Sequence, residues 1–208
     1  MHASPTPAYA HRDSRTRLLD AALRDIREKG YSATTVDDIC AAAGLSKGSF
    51  FHYFKSKEEL ALAAAEHFAS MAEGLFSTAP YRRATDPLER LLGYVDFRSA
   101  ILRGELPEFT CLLGTMVQET YETHPAIRAA CDRYITGHAA EVAKDIAEAK
   151  RLYAPEAPWT AESLSLYIQA VLQGSFILAK ARHGPAVAIV CLTHLRRYLE
   201  SEFKPGKQ

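Results

Sequence analysis

Thr34 to Lys57 read TTVDDICAAAGLSKGSFFHYFKSK, a stretch that predicts two short helices joined by a tight turn. Thr35 suits the position before the first helix, because its hydroxyl can accept a hydrogen bond from an unpaired backbone N–H. Gly44 suits the turn, because glycine readily adopts the left-handed backbone conformation that ends many helices. Ser46 can cap the second helix in the same way. The spacing therefore predicts a helix-turn-helix.

The second of these helices is expected to have one apolar and one polar face. Phe50 and Phe54 lie four residues apart, so they predict the face that packs inward. Short polar side chains and a lysine stand at its amino-terminal end, where the helix dipole favours an anion such as phosphate. The side chains expected to point outward are Lys47, Ser49, His52 and Tyr53. An ordinary corner between two helices has similar spacing, so the pattern alone does not decide the function.

The length of the chain leaves room for more than this motif. It has 208 residues, of which 48% are hydrophobic, and its formal net charge is zero. A DNA-binding module needs roughly 50 to 70 residues, so most of the chain must form a second core. A nucleic-acid-binding protein without net positive charge must concentrate its basic side chains locally.

The cysteine and histidine spacings argue against a metal site. The four cysteines (Cys40, Cys111, Cys131 and Cys191) include no Cys-x-x-Cys pair, so a disulfide framework or a zinc ribbon is not expected. His124, Cys131 and His138 stand seven residues apart, which is about 10.5 Å along a helix and too far for easy convergence on one ion. We therefore expect no metal and no cofactor.

No signal peptide and no apolar run of about 18 residues is apparent, which predicts a cytoplasmic protein that does not interact with a membrane. Helical spacing of apolar residues recurs along the chain, and no alternating strand pattern is present. We expect an all-α fold with about nine helices. The predicted organisation is a disordered tail over residues 1–12, a three-helix DNA-binding domain over 13–60, and an effector-binding and dimerisation domain over 61–208.

Residues 14–62 resemble the TetR family of bacterial transcriptional repressors. The resemblance rests on RLLDAA (17–22), KGY (29–31), TTVDDI (34–39), AGLSKG (43–48) and FKSKEEL (54–60). The rest of the chain is similar to the family in length and helix count, and TCLLGTMVQE (110–119) resembles the effector domains of one subset. The resemblance implies a DNA-binding domain, a helical ligand-binding domain, and a homodimer formed through the last two helices.

The resemblance also implies which residues contact DNA. Thr35 is expected to touch phosphate, the recognition helix to face the major groove, and Lys57 to hold the DNA backbone. The full set is Thr35, Ser46, Lys47, Ser49, Phe51, His52, Tyr53 and Lys57. Family members usually have tyrosine at the position of Phe51, and its hydroxyl contacts the DNA backbone. Since Phe51 lacks that hydroxyl, His52 or Tyr53 is the alternative source of the contact.

A ligand-binding role is implied for the middle helices, where an effector would move the helix over residues 56–75 and release the DNA. The mixture of aromatic side chains with few charges suggests a small, mostly apolar molecule. The candidate pocket residues are Tyr94, Phe97, Cys111, Met116, Gln118, Trp159, Gln173 and Phe176. Each also fits an ordinary packed core, and Arg98 and Glu119 could pair with each other rather than with a ligand.

The last two predicted helices have apolar faces that could pair with those of a second copy in a four-helix bundle. The residues concerned are Leu164, Tyr167, Ile168, Val171, Leu172 and Phe176 on one helix, and Val187, Val190, Leu195 and Leu199 on the other. The alternative is that these faces only close the core of the monomer.

The expected function is that of a ligand-responsive transcriptional repressor that binds a palindromic DNA operator as a homodimer. One alternative is a thiol-based electrophile sensor acting through Cys111, although a buried cysteine is also an ordinary small hydrophobic residue. Another is a helical interaction protein that does not bind DNA. An enzyme is not expected, because the chain has no glycine-rich phosphate loop, nucleophile elbow or paired-histidine motif.

Overall fold

The computed structural model describes residues 13–203, which contain ten α-helices and a 3-10 turn over Pro80–Arg83, with no strand in that range. The helices are α1 (Ser14–Lys29), α2 (Val36–Ala43), α3 (Lys47–Tyr53), α4 (Lys57–Ser77), α5 (Pro87–Ala100), α6 (Leu106–Phe109), α7 (Leu112–Thr120), α8 (Pro125–Tyr153), α9 (Ala161–Ala181) and α10 (Ala186–Glu202). The all-α prediction is confirmed. The tail predicted over residues 1–12 lies outside the described residues.

The number of helices exceeds the predicted nine because one expected helix is interrupted. The sequence predicts a single helix that starts at Pro107 and carries Cys111, Leu112, Met116 and residues 118–120. At Thr110 the backbone is extended, with φ −78° and ψ 160°. The Thr110 hydroxyl donates a hydrogen bond of 2.8 Å to Leu106 O, which satisfies a carbonyl at the end of α6.

The chain forms two compact units that do not follow chain order. The first contains residues 13–69 and 112–131, and the second contains residues 70–111 and 132–203. Thus α7 joins the amino-terminal helices, and it packs against α1. The sequence analysis divided the chain into two domains at residue 60, in chain order. That division stays a prediction for the functional domains.

In the first unit α1 packs against α2, α3 and α7. The fully buried large side chains of this unit come from several helices: Leu18, Leu19, Ile26, Ile39, Phe50, Leu60, Leu112, Met116 and Ile127. These residues form the core of the first unit, which includes the two helices of the helix-turn-helix.

In the second unit α10 packs against α9 and α5. The helix α9 is long and apolar enough to cross a membrane by length and composition, with a mean hydropathy of 1.2 over its best window. A core helix meets the same criterion, and Ile168 and Leu172 of α9 are completely buried in the core of this unit.

The apolar residues of α9 and α10 divide between the core and the surface. Most of those that the sequence offered for a dimer interface are buried within the chain: Leu164, Ile168, Leu172, Phe176, Leu195 and Leu199. Val171 and Val187 are half-buried. A different set of large apolar side chains is exposed, and we call it the outer face: Leu166, Tyr167, Ile177, Leu178, Ile189, Val190 and Tyr198. Only Tyr167 and Val190 belong to both the predicted and the exposed set.

Candidate nucleic-acid interface and effector site

The turn between α2 and α3 has the predicted caps. Asp38 N donates to Thr35 Oγ1 at 3.1 Å, and Thr35 N donates to Asp38 Oδ2 at 2.9 Å, so the two residues form a reciprocal capping box. Gly44 is left-handed, with φ 62° and ψ 41°. Its N–H donates to Ala41 O, and Leu45 N donates to Cys40 O at 2.9 Å, which ends α2.

Arg17 of α1 also stabilises this turn. Its Nη2 donates to Ala43 O at 2.5 Å and to Gly44 O at 3.3 Å. A cation near the carboxyl end of a helix also interacts favourably with the helix dipole. Arg17 therefore holds α1 against the end of α2.

The helix α3 presents the predicted polar surface. Ser46 Oγ accepts from Ser49 N at 3.1 Å and so caps the helix. The side chains of Lys47, Phe51, His52 and Tyr53 are exposed, and Ser49 is half-buried. The His52 and Tyr53 rings contact each other edge to face, with centroids 4.8 Å apart. Contact of this surface with DNA stays a prediction.

Two features of this surface depart from a simple basic patch. Phe51 is 57% exposed and has no hydroxyl, so an apolar ring occupies the middle of the helix surface. Lys47 Nζ lies 2.8 Å from Asp37 Oδ1, and both side chains are largely exposed. An exposed pair of this kind contributes little to stability, so a phosphate can compete for the lysine.

Lys57 lies at the start of α4, where the sequence placed a contact to the DNA backbone. Its Nζ donates to Tyr31 O and to Thr34 O, both at 3.0 Å, and it lies 4.3 Å from the centroid of the Tyr31 ring. Burial lowers the pKa of Lys57, and Glu119 opposes that shift. Two of its three N–H donors serve the loop between α1 and α2, so a phosphate contact must use the third or displace one of them.

Glu119 of α7 binds the backbone N–H groups of the same loop, whereas Lys57 binds its carbonyl groups. Its carboxylate accepts from Tyr31 N at 3.2 Å and from Ser32 N at 2.8 Å. Gly30 has φ 93°, and a Cβ there would lie 2.2 Å from Glu119 Oε1. The sequence suggested a pair between Glu119 and Arg98, but each has other neighbours. Local patterns could not reveal this contact, because its partners are almost 90 residues apart in sequence.

The eight predicted pocket residues are divided between the two units, and their role in binding a ligand stays a prediction. Met116 and Gln118 belong to the first unit, where Met116 is completely buried and Gln118 Nε2 donates to Gly114 O. In the second unit, Trp159 Nε1 donates to Glu202 Oε2 at 2.7 Å, and its ring packs against Phe203. Gln173 is half-buried on α9.

Cys111 is half-buried and packs against the core of the second unit. Its role as an electrophile sensor stays a prediction. No group of three or more His, Cys, Asp or Glu side chains placed to hold a metal ion occurs within residues 13–203.

The remaining candidates, Tyr94, Phe97 and Phe176, share an aromatic cluster in the second unit. Tyr94 Oη lies 2.9 Å from His138 Nε2. The other members, which sequence reasoning did not assign to this site, are Phe76, Tyr81, Arg98, His138 and Gln169. Their positions in the sequence give no signal, because four separate helices and the 3-10 turn contribute them.

His138 is uncharged at neutral pH. Burial, together with the positive charges of Arg98 and Arg82, lowers its pKa from 6.5 to about 4, while Glu141 opposes the shift. Burial raises the pKa of Tyr94, so its hydroxyl keeps its proton. The hydroxyl and the imidazole therefore form a neutral pair inside an aromatic environment.

We expect His138 to make the protein less stable in mild acid. As pH falls from 6.5 towards 4, the unfolded chain protonates this histidine before the folded chain does. The free energy of unfolding should fall by about 3 kcal/mol from this group alone, the value of a pKa shift of this size. Urea unfolding of His138→Gln at several pH values should show a flatter profile. The exposed His194→Gln should keep the wild-type slope, and equal slopes for all three proteins would contradict the prediction.

Comparison with known proteins identifies both parts of the chain. Residues 18–64 match the family described as bacterial regulatory proteins, tetR family. Residues 87–187 match the carboxyl-terminal domain of transcriptional regulators similar to LmrA and YxaF.

Individual relatives agree with these matches. Transcriptional regulator AcuR of Cereibacter sphaeroides is 32% identical over 127 residues, which cover 61% of this chain and 56% of AcuR. The repressor DhaR of a Mycobacterium species is 30% identical over 114 residues, or 55% and 56% of the two chains. The chain thus spans little more than half the length of these relatives. A solved structure of a regulatory protein TetR from Rhodobacter sphaeroides is 27% identical with a TM-score of 0.79, covering 91% of this chain and 98% of that one.

Proposed function

The chain belongs to the TetR family of bacterial regulatory proteins, and on that premise we propose that it represses transcription from a palindromic operator as a homodimer that a small effector releases. Members of the family are transcriptional regulators rather than enzymes, and DhaR is described as a repressor. The observation that carries the proposal is the exposed polar surface of α3 on a capped helix-turn-helix.

The surface of α3 fits recognition of DNA. His52, Tyr53 and Lys47 are exposed where a recognition helix would meet base edges, and Ser49 lies beside them. Contacts to phosphate position such a domain, whereas contacts to bases select the sequence. A domain of this size makes few base contacts, so two copies are needed for a specific site.

The outer face of α9 and α10 supports the proposal that a second copy of the chain binds there. Large exposed apolar patches mark interaction surfaces. Gly174 lies on α9 between Tyr167 and Leu178 at helical spacing, and a Cβ there would meet no atom within 4 Å. A glycine in a helix lowers its stability, which fits a position where a partner helix approaches closely. In a symmetric dimer the two recognition helices would read half-sites about 34–36 Å apart.

The aromatic cluster around Tyr94 is the place where an effector would act. The helix α4 begins with Lys57, which holds the loop before α2, and near its end it carries Phe76, which is part of the cluster. A ligand that displaces Phe76 would therefore act on α4. Such a ligand shifts DNA affinity only as far as it binds the non-DNA state more tightly. We place the protein in the cytoplasm, where its DNA is.

A gel shift with the duplex upstream of the protein's own reading frame tests the DNA-binding role. We expect a discrete complex whose affinity falls by about a thousandfold between 50 and 200 mM salt, because bound lysines and arginines release phosphate counterions. A duplex of the same composition in scrambled order is the control. If the upstream duplex does not bind, selection from random duplexes takes its place as the test. Recovery of no bound sequence would favour the helical interaction protein without DNA binding.

A further inference from the structure

Arg98 of α5 has no acidic partner within residues 13–203. Its guanidinium carbon lies 5.1 Å from the centroid of the Phe76 ring and 5.8 Å from that of Phe176, so two aromatic faces enclose it. It forms no hydrogen bond or ion pair with any residue in the range 13–203. Stacking on rings leaves the N–H groups at the edge of the guanidinium available, and these are the groups that recognise planar anions.

Three other arginines of the second unit, each also half-buried, are paired with acids. Arg90 binds the carboxylates of Asp145 and Glu148, and Arg82 lies 3.3 Å from Asp145. Arg196 lies 2.8 Å from Asp96. Arg98 is half-buried, so a missing partner costs more there than on an open surface.

Gln169 of α9 provides an independent sign of a missing partner. Only 7% of the residue is exposed, and its Nε2 donor has no hydrogen-bond partner in the described part of the chain. Buried amide groups are almost always satisfied, so an orphaned donor at this depth points to a ligand group that completes it.

Both donors belong to the aromatic cluster that contains Tyr94. The Phe76 ring connects Arg98 to Tyr94, because its centroid lies 5.1 Å from the guanidinium carbon and 5.8 Å from the Tyr94 ring centroid. Burial raises the pKa of the Tyr94 hydroxyl, and the charge of Arg98 and the side chain of Gln169 oppose that rise. His138 Nε2 lies 2.9 Å from the hydroxyl oxygen of Tyr94. Tyr94 and Gln169 are buried, whereas Arg98 and Phe97 keep partial exposure, so the cluster extends from the surface into the core.

We propose that Arg98, Gln169 and the Tyr94–His138 pair bind the carboxylate of a small monocarboxylic acid whose apolar body packs among the aromatic rings. The guanidinium offers a bidentate contact, and the amide offers one more donor. Among the residues that the structure describes, Arg98 is the one positive charge of this site without an acidic partner, because Arg82 is paired with Asp145 and His138 is neutral at pH 7. A single carboxylate balances that charge, whereas a phosphate carries close to two negative charges. The proposal rests on the proposed function and names the class of its effector.

Calorimetric titration tests the site directly. The probes are acetate, butanoate, hexanoate, octanoate, benzoate and phenylacetate, each compared with its own primary amide, which has the same carbon skeleton and no charge. We expect at least one acid to bind and its amide to bind at least tenfold more weakly. Failure of every acid to bind, or equal binding of acid and amide, would overturn the proposal.

Variants separate a binding role from a structural one. Arg98→Met keeps the apolar stem and should lower acid affinity at least tenfold, whereas Arg103→Met, which removes an exposed arginine just beyond α5, should change nothing. Gln169→Met should weaken acid binding several-fold and yet raise the melting temperature of the ligand-free protein, because it removes an unsatisfied buried donor. Unchanged acid affinity in both Arg98→Met and Gln169→Met would refute the site.

The operator complex distinguishes this inference from the proposed function. The acid that binds should release the protein from its DNA, and it should fail to release the Arg98→Met variant. If the protein binds DNA but no acid, only the ligand assignment fails. If it binds an acid but selects no duplex, the site stands and the DNA-binding role fails.

Discussion

Replacing His52 and Tyr53 together with alanine is expected to lower operator affinity about a thousandfold. Both side chains are exposed on α3, and they contact each other rather than the core. A base-edge contact is worth at least about 1 kcal/mol, and a symmetric dimer loses each contact twice. Four lost contacts therefore cost about 4 kcal/mol, which is a factor of about a thousand in affinity.

The measurement is a gel-shift or anisotropy titration on the operator, with circular dichroism to confirm that the helices remain. Tyr121→Ala is the matched control, because it removes an exposed tyrosine of the same unit that lies outside α3. The double variant should also lose discrimination against a scrambled duplex, since non-specific phosphate contacts remain. Affinity within tenfold of wild type would show that α3 does not read the operator.

The variant Ile177→Glu/Val190→Glu is expected to be monomeric and to lose specific DNA binding. Both residues belong to the outer face and are more than half exposed, so the folded chain tolerates a charge at either position. In a dimer each substitution occurs twice, and burial of a carboxylate without a partner costs several kcal/mol. The dissociation constant of the dimer should rise by at least about ten-thousandfold, a cost of roughly 6 kcal/mol.

Analytical ultracentrifugation measures the mass of this variant, and an operator titration measures its loss of affinity. Leu152→Glu on α8 is the control, because it adds a carboxylate at a residue that is equally exposed and lies outside the outer face. A wild-type chain that sediments as a monomer would contradict the dimer itself. A double variant that still sediments as a dimer would place the interface elsewhere on the chain.

Local chemistry allowed the helix-turn-helix to be predicted from the sequence. The Thr35 cap, the left-handed Gly44 and the Ser46 cap each depend on atoms within about four residues, so residue type and spacing specify them. For the same reason, local residue types specify the starts of α8, whose first residue is Pro125, and of α9, which Thr160 caps. The interruption at Thr110 was missed, because the apolar spacing continues on both sides of it.

The hydrogen-bond and ion-pair partners of residues far apart in the sequence were not predictable in this way. The resemblance implied that Lys57 holds the DNA backbone, yet in the folded chain Lys57 donates to backbone carbonyls, as Arg17 also does. Glu119 accepts a hydrogen bond from the loop before α2 instead of pairing with Arg98. Any of several acids could pair with a given cation, and only the packed helices bring one of them within reach.

The sequence by itself determined the all-α class, the caps that position α3, and the side chains that α3 exposes, because helical period and capping are local properties. The tertiary structure alone decided which apolar face of α9 is core and which is surface. It also left the Arg98 guanidinium and the Gln169 Nε2 donor without a hydrogen-bond partner within residues 13–203. Burial and pairing depend on elements far apart in the chain, so these properties exist only once the helices have packed.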